Sequence, residues 1–431
     1  MRHLIIIHMI SRDRYWAEYL KNKIETEFPE DEVRIITFGE IASKVIMVGY
    51  HPDTILMYTL RDNLSVSWIT MLKLITKARV IIYENEGLMN YDDLEFIRKR
   101  IGVAPRSTSL VDRYFYWGTK PARVSTELML EKKFIRDRNV VSACGYVNYE
   151  MKPEDIEPLL MEDEQGMLAQ IRAHCHGEKM ILALTGFPLI DLSDEEFKAD
   201  GEIITEDPEK LHAYAEEKRN KTIIFRDKYV GMIQKLARMH PEIPIIVKPH
   251  PAENERTNCR NYYLKAFADL PNVMFLNHAI IVGMLLRDTR LLIHYGSTVS
   301  LEAYIQGIPT MLYEDDSYIG NRELTESTKI VMGEIDEHVL DGLEFRRLPG
   351  NDAVIYDLFN YTSNREYRPS KDLIAAMRDS ENRYPFDKKE LLAPVNKKNI
   401  THPLIWECRS CIKNGNIKGV FHLISALTKV L

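Results

Sequence analysis

The sequence predicts an α/β chain made of two parallel-sheet domains in tandem, closed by helices at its C-terminus. Three observations predict it. Short apolar runs of strand length recur along most of the chain, and each is divided from the next by a stretch patterned as, or long enough for, a helix. Strands alternating with helices imply parallel sheets wound by right-handed crossovers. The series also occurs twice, before and after an acidic stretch, and 431 residues suit about two domains.

The elements follow in order. Leu4–Ile7 reads as a buried strand, followed by a helix over about Tyr15–Phe28. Further strands are expected at Val33–Thr37, Thr54–Tyr58, Val80–Tyr83 and Val140–Cys144, completing a first domain over 1–150. Residues 151–178 read as a solvated acidic linker, since seven carboxylates and two prolines crowd 150–165. A second domain over 179–355 opens at Met180–Thr185 and continues through an acidic, helix-rich excursion (191–220) and a helix over Asp227–Met239. Its later strands are expected at Ile243–Val247, Val273–Leu276, Leu291–His294 and Thr310–Tyr313. The remainder, 356–431, is a partly helical extension with a helix near Ser370–Arg378 and an amphipathic one over Leu404–Leu431. Neither a fixed-period repeat nor a low-complexity tract is found.

Composition narrows the function classes. A hydrophobic share of 45% with 28% charged residues belongs to a core-building protein. Lys plus Arg number 57 against 64 Asp plus Glu, a net charge of -7, which argues against a nucleic-acid partner for the whole surface. The charge is uneven: residues 391–431 hold six cations against Glu407 alone, a net of +5, so the rest carries -12. Five scattered cysteines suit a reducing cytoplasm, and no apolar run reaches the roughly 18 residues of a membrane span. The expected location is cytoplasmic, soluble or peripheral on the inner face of the membrane. The basic end either lies on an anionic membrane, with Trp406 and Phe421 in the interface, or packs back on the core. The lone Cys408-Arg409-Ser410-Cys411 lacks a second pair, and no metal site is expected.

Three stretches could do chemistry. Ile245–Val247 runs straight into Lys248-Pro249-His250-Pro251, which puts Lys248 and His250 at the carboxyl end of a strand, where parallel sheets bind ligands. The flanking prolines limit the motion of His250, whose imidazole can donate to a phosphate or act as a general acid. His294-Tyr295-Gly296-Ser297-Thr298 is again a strand end with a glycine turn opening a helix. Ser297 or Thr298 suits the N-cap, with free N–H groups beside it for an anion. Glu302, one turn on, can reach a ribose hydroxyl or serve as a surface residue. Val80–Tyr83 ends in Glu84-Asn85-Glu86-Gly87, carboxylates at a sheet edge where a base for an acceptor hydroxyl is wanted.

This trio, in this order, resembles the bacterial surface-carbohydrate biosynthesis proteins. More distantly it is similar to bacterial sialyl-, polysialyl- and Kdo-transferases of GT-B type, with support from Ser11-Arg12-Asp13, Tyr116-Trp117-Gly118 and Gly145-Tyr146-Val147. The resemblance covers roughly residues 1–315. It implies two Rossmann-like domains facing a central cleft and a metal-independent glycosyltransferase that needs no cofactor beyond its nucleotide-sugar donor, with a CMP-linked nonulosonic acid or Kdo-type sugar favoured. It also implies a glycan or lipid-linked glycan acceptor, a base at Glu86 or Glu84, and a donor phosphate held by His250, Ser297 and Thr298; the strand-end reading adds Lys248 and Gly296 to the donor side. Asn85 departs from the family pattern, which usually has a carboxylate there. The alternatives are a non-hydrolysing nucleotide-sugar epimerase on the same plan and a non-catalytic nucleotide-sugar- or glycan-binding component.

Overall fold

A computed structural model describes residues 1–84, 91, 93–199, 207–254, 256–277, 280–313, 338–341, 343–345, 349–362, 366–379, 386–395 and 397–430. The chain forms two compact units: unit 1 is Met1–Met151 with Asp352–Leu431, and unit 2 is Lys152–Asn351.

Unit 1 holds a six-stranded sheet of β1 (Arg2–Ile7), β2 (Glu32–Thr37), β3 (Thr54–Met57), β4 (Arg79–Tyr83), β5 (Arg113–Tyr116) and β6 (Val141–Ala143). The order is β2-β1-β3-β4-β5-β6 and every pairing is parallel. Leu4–Ile6, Ile55–Met57 and Val80–Tyr83 are buried as continuous runs, as a sheet covered on both faces requires. Strand β5 escaped the sequence reading because Arg113-Tyr114-Phe115-Tyr116 is short and opens on an arginine.

The C-terminal segment does not stand apart as an extension but completes unit 1. Tyr367 Oη accepts from the Tyr146 N–H (2.6 Å), and Glu150 accepts from the N–H (2.9 Å) and hydroxyl (2.6 Å) of Ser370. Trp117 stacks on Tyr146 at 3.9 Å and meets Phe359 at 5.8 Å, so two of the supporting motifs form core contacts with the returning chain. At the other end of the sheet, buried Arg79 donates to the Ala376 carbonyl (2.6 Å), and Arg378 pairs with Asp31 (3.1 Å). The amphipathic C-terminal stretch is two helices, Lys397–Lys413 and Ile417–Val430, broken at Asn414–Asn416.

Unit 2 holds β7 (Met180–Leu184), β8 (Ile245–Lys248), β9 (Val273–Phe275), β10 (Thr289–His294) and β11 (Thr310–Leu312), all parallel, in the order β11-β10-β7-β8-β9. The expected linker 151–178 is helical over Pro153–Ile156 and Glu162–Cys175, and it belongs to unit 2. Its acidic residues supply helix starts: Asp155 and Glu164 each reach back to a backbone N–H, of Lys152 (2.9 Å) and Met161 (2.7 Å). The expected helix over Asp227–Met239 extends back to Pro208, capped by Asp207, and so absorbs half of the acidic excursion. Phe225, Tyr229, Ile233 and Leu236 turn one face of it onto the sheet core.

Both units are thus Rossmann-like α/β sheets. In unit 2 the connections run from β7 outward to β8 and β9, then back across to β10 and β11, so the strand order reverses between β7 and β10. Such a reversal opens a crevice at the carboxyl ends of the two strands, where ligands of open α/β sheets bind.

Candidate functional site

The carboxyl ends of β8, β7 and β10 lie side by side and carry two of the three predicted motifs. After β7 come Thr185 and Gly186; after β8, Lys248 begins the Lys-Pro-His-Pro turn; after β10, Tyr295 and Gly296 lead into Ser297 and Thr298. Beneath the crevice, Tyr229 braces the ends of both strands: its hydroxyl lies 2.8 Å from the Leu184 carbonyl and 3.2 Å from that of Ile293. Tyr295 stacks on Phe187 at 4.6 Å and donates its hydroxyl to the Gly186 carbonyl. Gly186 is required by close approach. A Cβ there would collide with the Tyr295 hydroxyl and lie 3.7 Å from Cβ of His250.

Glu253 fixes the His250 turn, and the sequence reading missed it. Its side chain is buried, Oε2 accepts from the His250 N–H (3.0 Å) and the Thr185 hydroxyl (2.6 Å), and Oε1 accepts from the Tyr263 hydroxyl (2.7 Å). The signal was present: His250, Pro251 and Glu253 occupy the N-cap, N1 and N3 positions of the short helix Pro251–Asn254, the arrangement in which an N3 glutamate reaches back to the cap N–H. His250 itself is exposed at the rim.

The loop after β10 differs from its expected form. The helix begins at Val299; Thr298 holds the cap position with helical dihedrals and no capping hydrogen bond, while the Ser297 hydroxyl accepts from the Val299 N–H (3.2 Å). The N–H groups of Gly296 and Ser297 are not free for an anion, because both point at Nδ1 of His294 (3.1 and 3.3 Å). Gly296 adopts φ +126°, a conformation that only glycine takes readily. His294 is fully buried, and burial pushes its imidazole down to about 4. With Nδ1 accepting, the neutral ring must carry its proton on Nε2, which is buried and has no hydrogen-bond partner among the described residues.

Lys248 and Glu302, from different motifs, share one electrostatic environment. Burial pushes the Lys248 ammonium down to about 8, opposed by the charges of Glu253 and Glu302. Burial likewise pushes the Glu302 carboxyl up to about 8, opposed by Lys248. Gly283 backs the acid: a Cβ there would stand 2.9 Å from Glu302 Oε1. Burial thus weakens both charges of the pair and favours the neutral form of the Glu302 acid, which leaves the Lys248 ammonium, with Glu253 nearby, as the cation of this edge.

In unit 1, Glu84 follows β4 and is buried; Oε1 accepts from Arg61 (2.9 Å) and Oε2 from the Thr59 hydroxyl (3.2 Å), both beyond the end of β3. Asp13 of the Ser-Arg-Asp motif holds the turn after β1, accepting from the N–H groups of His8 (3.1 Å) and Met9 (3.0 Å). Asn85, Glu86 and Gly87 lie outside the described residues.

No family model and no curated protein matches the sequence. Among solved structures, the chain is similar to UDP-GlcNAc 2-epimerase from Neisseria meningitidis bound to UDP-GlcNAc, at 12% identity over 88% of this chain and 99% of that one, TM-score 0.49. It is also similar to the S. aureus MnaA–UDP structure, at 14% identity over 90% and 100%, TM-score 0.49. A variant of the wall teichoic acid polymerase TagF aligns at 14% identity over 87% and 88%, TM-score 0.46. At these scores the likeness is loose, and the architecture rests on the two strand orders themselves.

Proposed function

We propose that the protein is a glycosyltransferase that binds a nucleotide-activated sugar on unit 2 and passes the sugar to a glycan or lipid-linked glycan met by unit 1. What supports this reading is the strand order, in which β7 has β8 and β10 on either side, so that Lys248 and His250 follow one neighbouring strand and Gly296, Ser297, Thr298 and Glu302 follow the other at the carboxyl edge of the sheet. The donor phosphate would rest on Lys248, His250 and the hydroxyls of Ser297 and Thr298, and Glu302 in its neutral form would donate to or accept from the ribose. As the bond between the anomeric carbon and phosphate oxygen breaks, these groups stabilise the departing phosphate charge. The acceptor oxygen bonds to that carbon and its proton passes to a carboxylate after β4, Glu86 or Glu84. Glu84 is already engaged by Arg61 and Thr59, so Glu86 is the base we favour. A CMP-linked nonulosonic acid or Kdo-type sugar is the favoured donor, and the basic C-terminal segment would rest on the inner membrane face.

The test replaces His250 and Glu86 separately by Ala and follows CMP and UDP release with acceptor present. Loss of release in both variants is expected; near-normal turnover in both refutes the reading. Isomerised donor in an acceptor-free reaction would assign an epimerase instead.

A further inference from the structure

We propose that the two C-terminal helices form a docking face for an anionic phospholipid bilayer, apolar side chains entering the interface and neighbouring cations meeting lipid phosphates. This deepens the membrane contact proposed above and is independent of the transfer chemistry.

The helices Lys397–Lys413 and Ile417–Val430 are anchored by one side. Leu404, Cys411, Leu423 and Ala426 are buried, both helices pack against Asn63–Thr76, and the His422 ring lies 2.7 Å from the Met47 carbonyl. Their other side is apolar where water should favour polar residues. Ile417, Phe421 and Ile424, spaced i, i+4, i+7 on one stripe, are 70%, 67% and 47% exposed, and on the preceding helix Trp406 and Ile412 are each 66% exposed. Isolated exposed apolar residues are ordinary, but a stripe of this kind marks a contact surface.

Charge selects the occupant. Arg409, Lys413 and Lys418 are exposed beside the stripe, and residues 391–431 hold six cations to one acid. A second copy would set one +5 segment against another, whereas an anionic surface attracts this end and repels the remaining -12. Among the described residues no helix is long and apolar enough to cross a membrane, so the pair would lie in the plane of the interface. A cavity of about 330 Å³ opens beneath the last helix, lined by exposed Val48 and by His51, Ile75, Lys418 and His422 among others, and would receive a headgroup phosphate beside the stripe.

Full-length protein is floated with vesicles of phosphatidylcholine alone and with about a third phosphatidylglycerol. Binding to the second only, weakening with salt and accompanied by a blue shift of tryptophan fluorescence, is expected. The variant W406S/I417S/F421S, altered only at exposed positions, should bind at least about tenfold more weakly, and K413A and K418A about fivefold each. H250A should float like the wild type while losing donor binding, which separates failure of this proposal from failure of the transferase reading. Absence of binding to the anionic vesicles, an unchanged serine variant, or a dimer that the serine substitutions dissolve would overturn it.

Discussion

Replacing Glu253 tests whether the His250 turn is held as the geometry implies. Its carboxylate accepts three hydrogen bonds, from the Thr185 hydroxyl, the His250 N–H and the Tyr263 hydroxyl, at 2.6, 3.0 and 2.7 Å, in a buried setting. Hydrogen bonds to a charged group contribute about 1.5–3 kcal/mol each, but their sum is reduced by the desolvation of the carboxylate itself. Glu253→Ala leaves three donors without that acceptor and should cost about 3–5 kcal/mol. Glu253→Gln keeps one oxygen for Thr185 and His250, and the Tyr263 hydroxyl can rotate to accept from the amide, so about 1–2 kcal/mol is expected. With a urea slope of about 2 kcal/mol per molar, the midpoint should fall by roughly 1.5–2.5 M for Ala and by under about 1 M for Gln. Calorimetry with CMP, CDP and UDP should show weaker nucleotide binding for Ala, since His250 loses its fixed backbone. An Ala variant within about 1 kcal/mol of wild type with unaltered nucleotide affinity would refute the argument.

Three further outcomes follow from the same edge. Nucleotide affinity should decline as pH rises through about 8, because Lys248 then loses its proton while Glu302 ionises, taking the pair from net positive to net negative; isothermal titration across pH 6.5–9 checks this, and Glu302→Gln should soften the decline. His294 is held near 4 rather than 6.5, so the unfolded chain binds the extra proton first and stability should fall as pH drops from about 6.5 to 4, by about 3 kcal/mol. His294→Asn, whose side-chain oxygen can accept the same N–H groups, should flatten that dependence in acid-unfolding curves. Gly186→Ala should weaken nucleotide binding about tenfold by displacing the Tyr295 hydroxyl, and Tyr295→Phe in the same chain should restore part of the loss.

Much of the architecture was legible in the residues. The continuous apolar runs of β1, β4, β7 and β10 have the length and sharp ends of strands buried on both faces, and turn motifs directly after them announce a ligand edge. Strand β5 was hidden because four residues beginning with arginine carry no period, and the acidic stretch before β7 was mistaken for a connector because helix-starting carboxylates and solvated linkers have the same composition. Glu253 could have been recognised from its position three residues after His250; Tyr263 and Thr185, its other partners, could not, since nothing local ties them to it.

The sequence by itself determined the strand–helix alternation, the division into two sheets, and the residue types waiting at the ends of β4, β8 and β10, because these follow from local periodicity and turn chemistry. Only the tertiary structure decided the strand order that brings β7 between β8 and β10, the capture of the Gly296 and Ser297 N–H groups by His294, and the return of residues 352–431 to unit 1. These depend on which distant surfaces bury one another and on how burial shifts charge at Lys248 and Glu302. Burial is a property of the packed neighbourhood, and no window along the chain contains it.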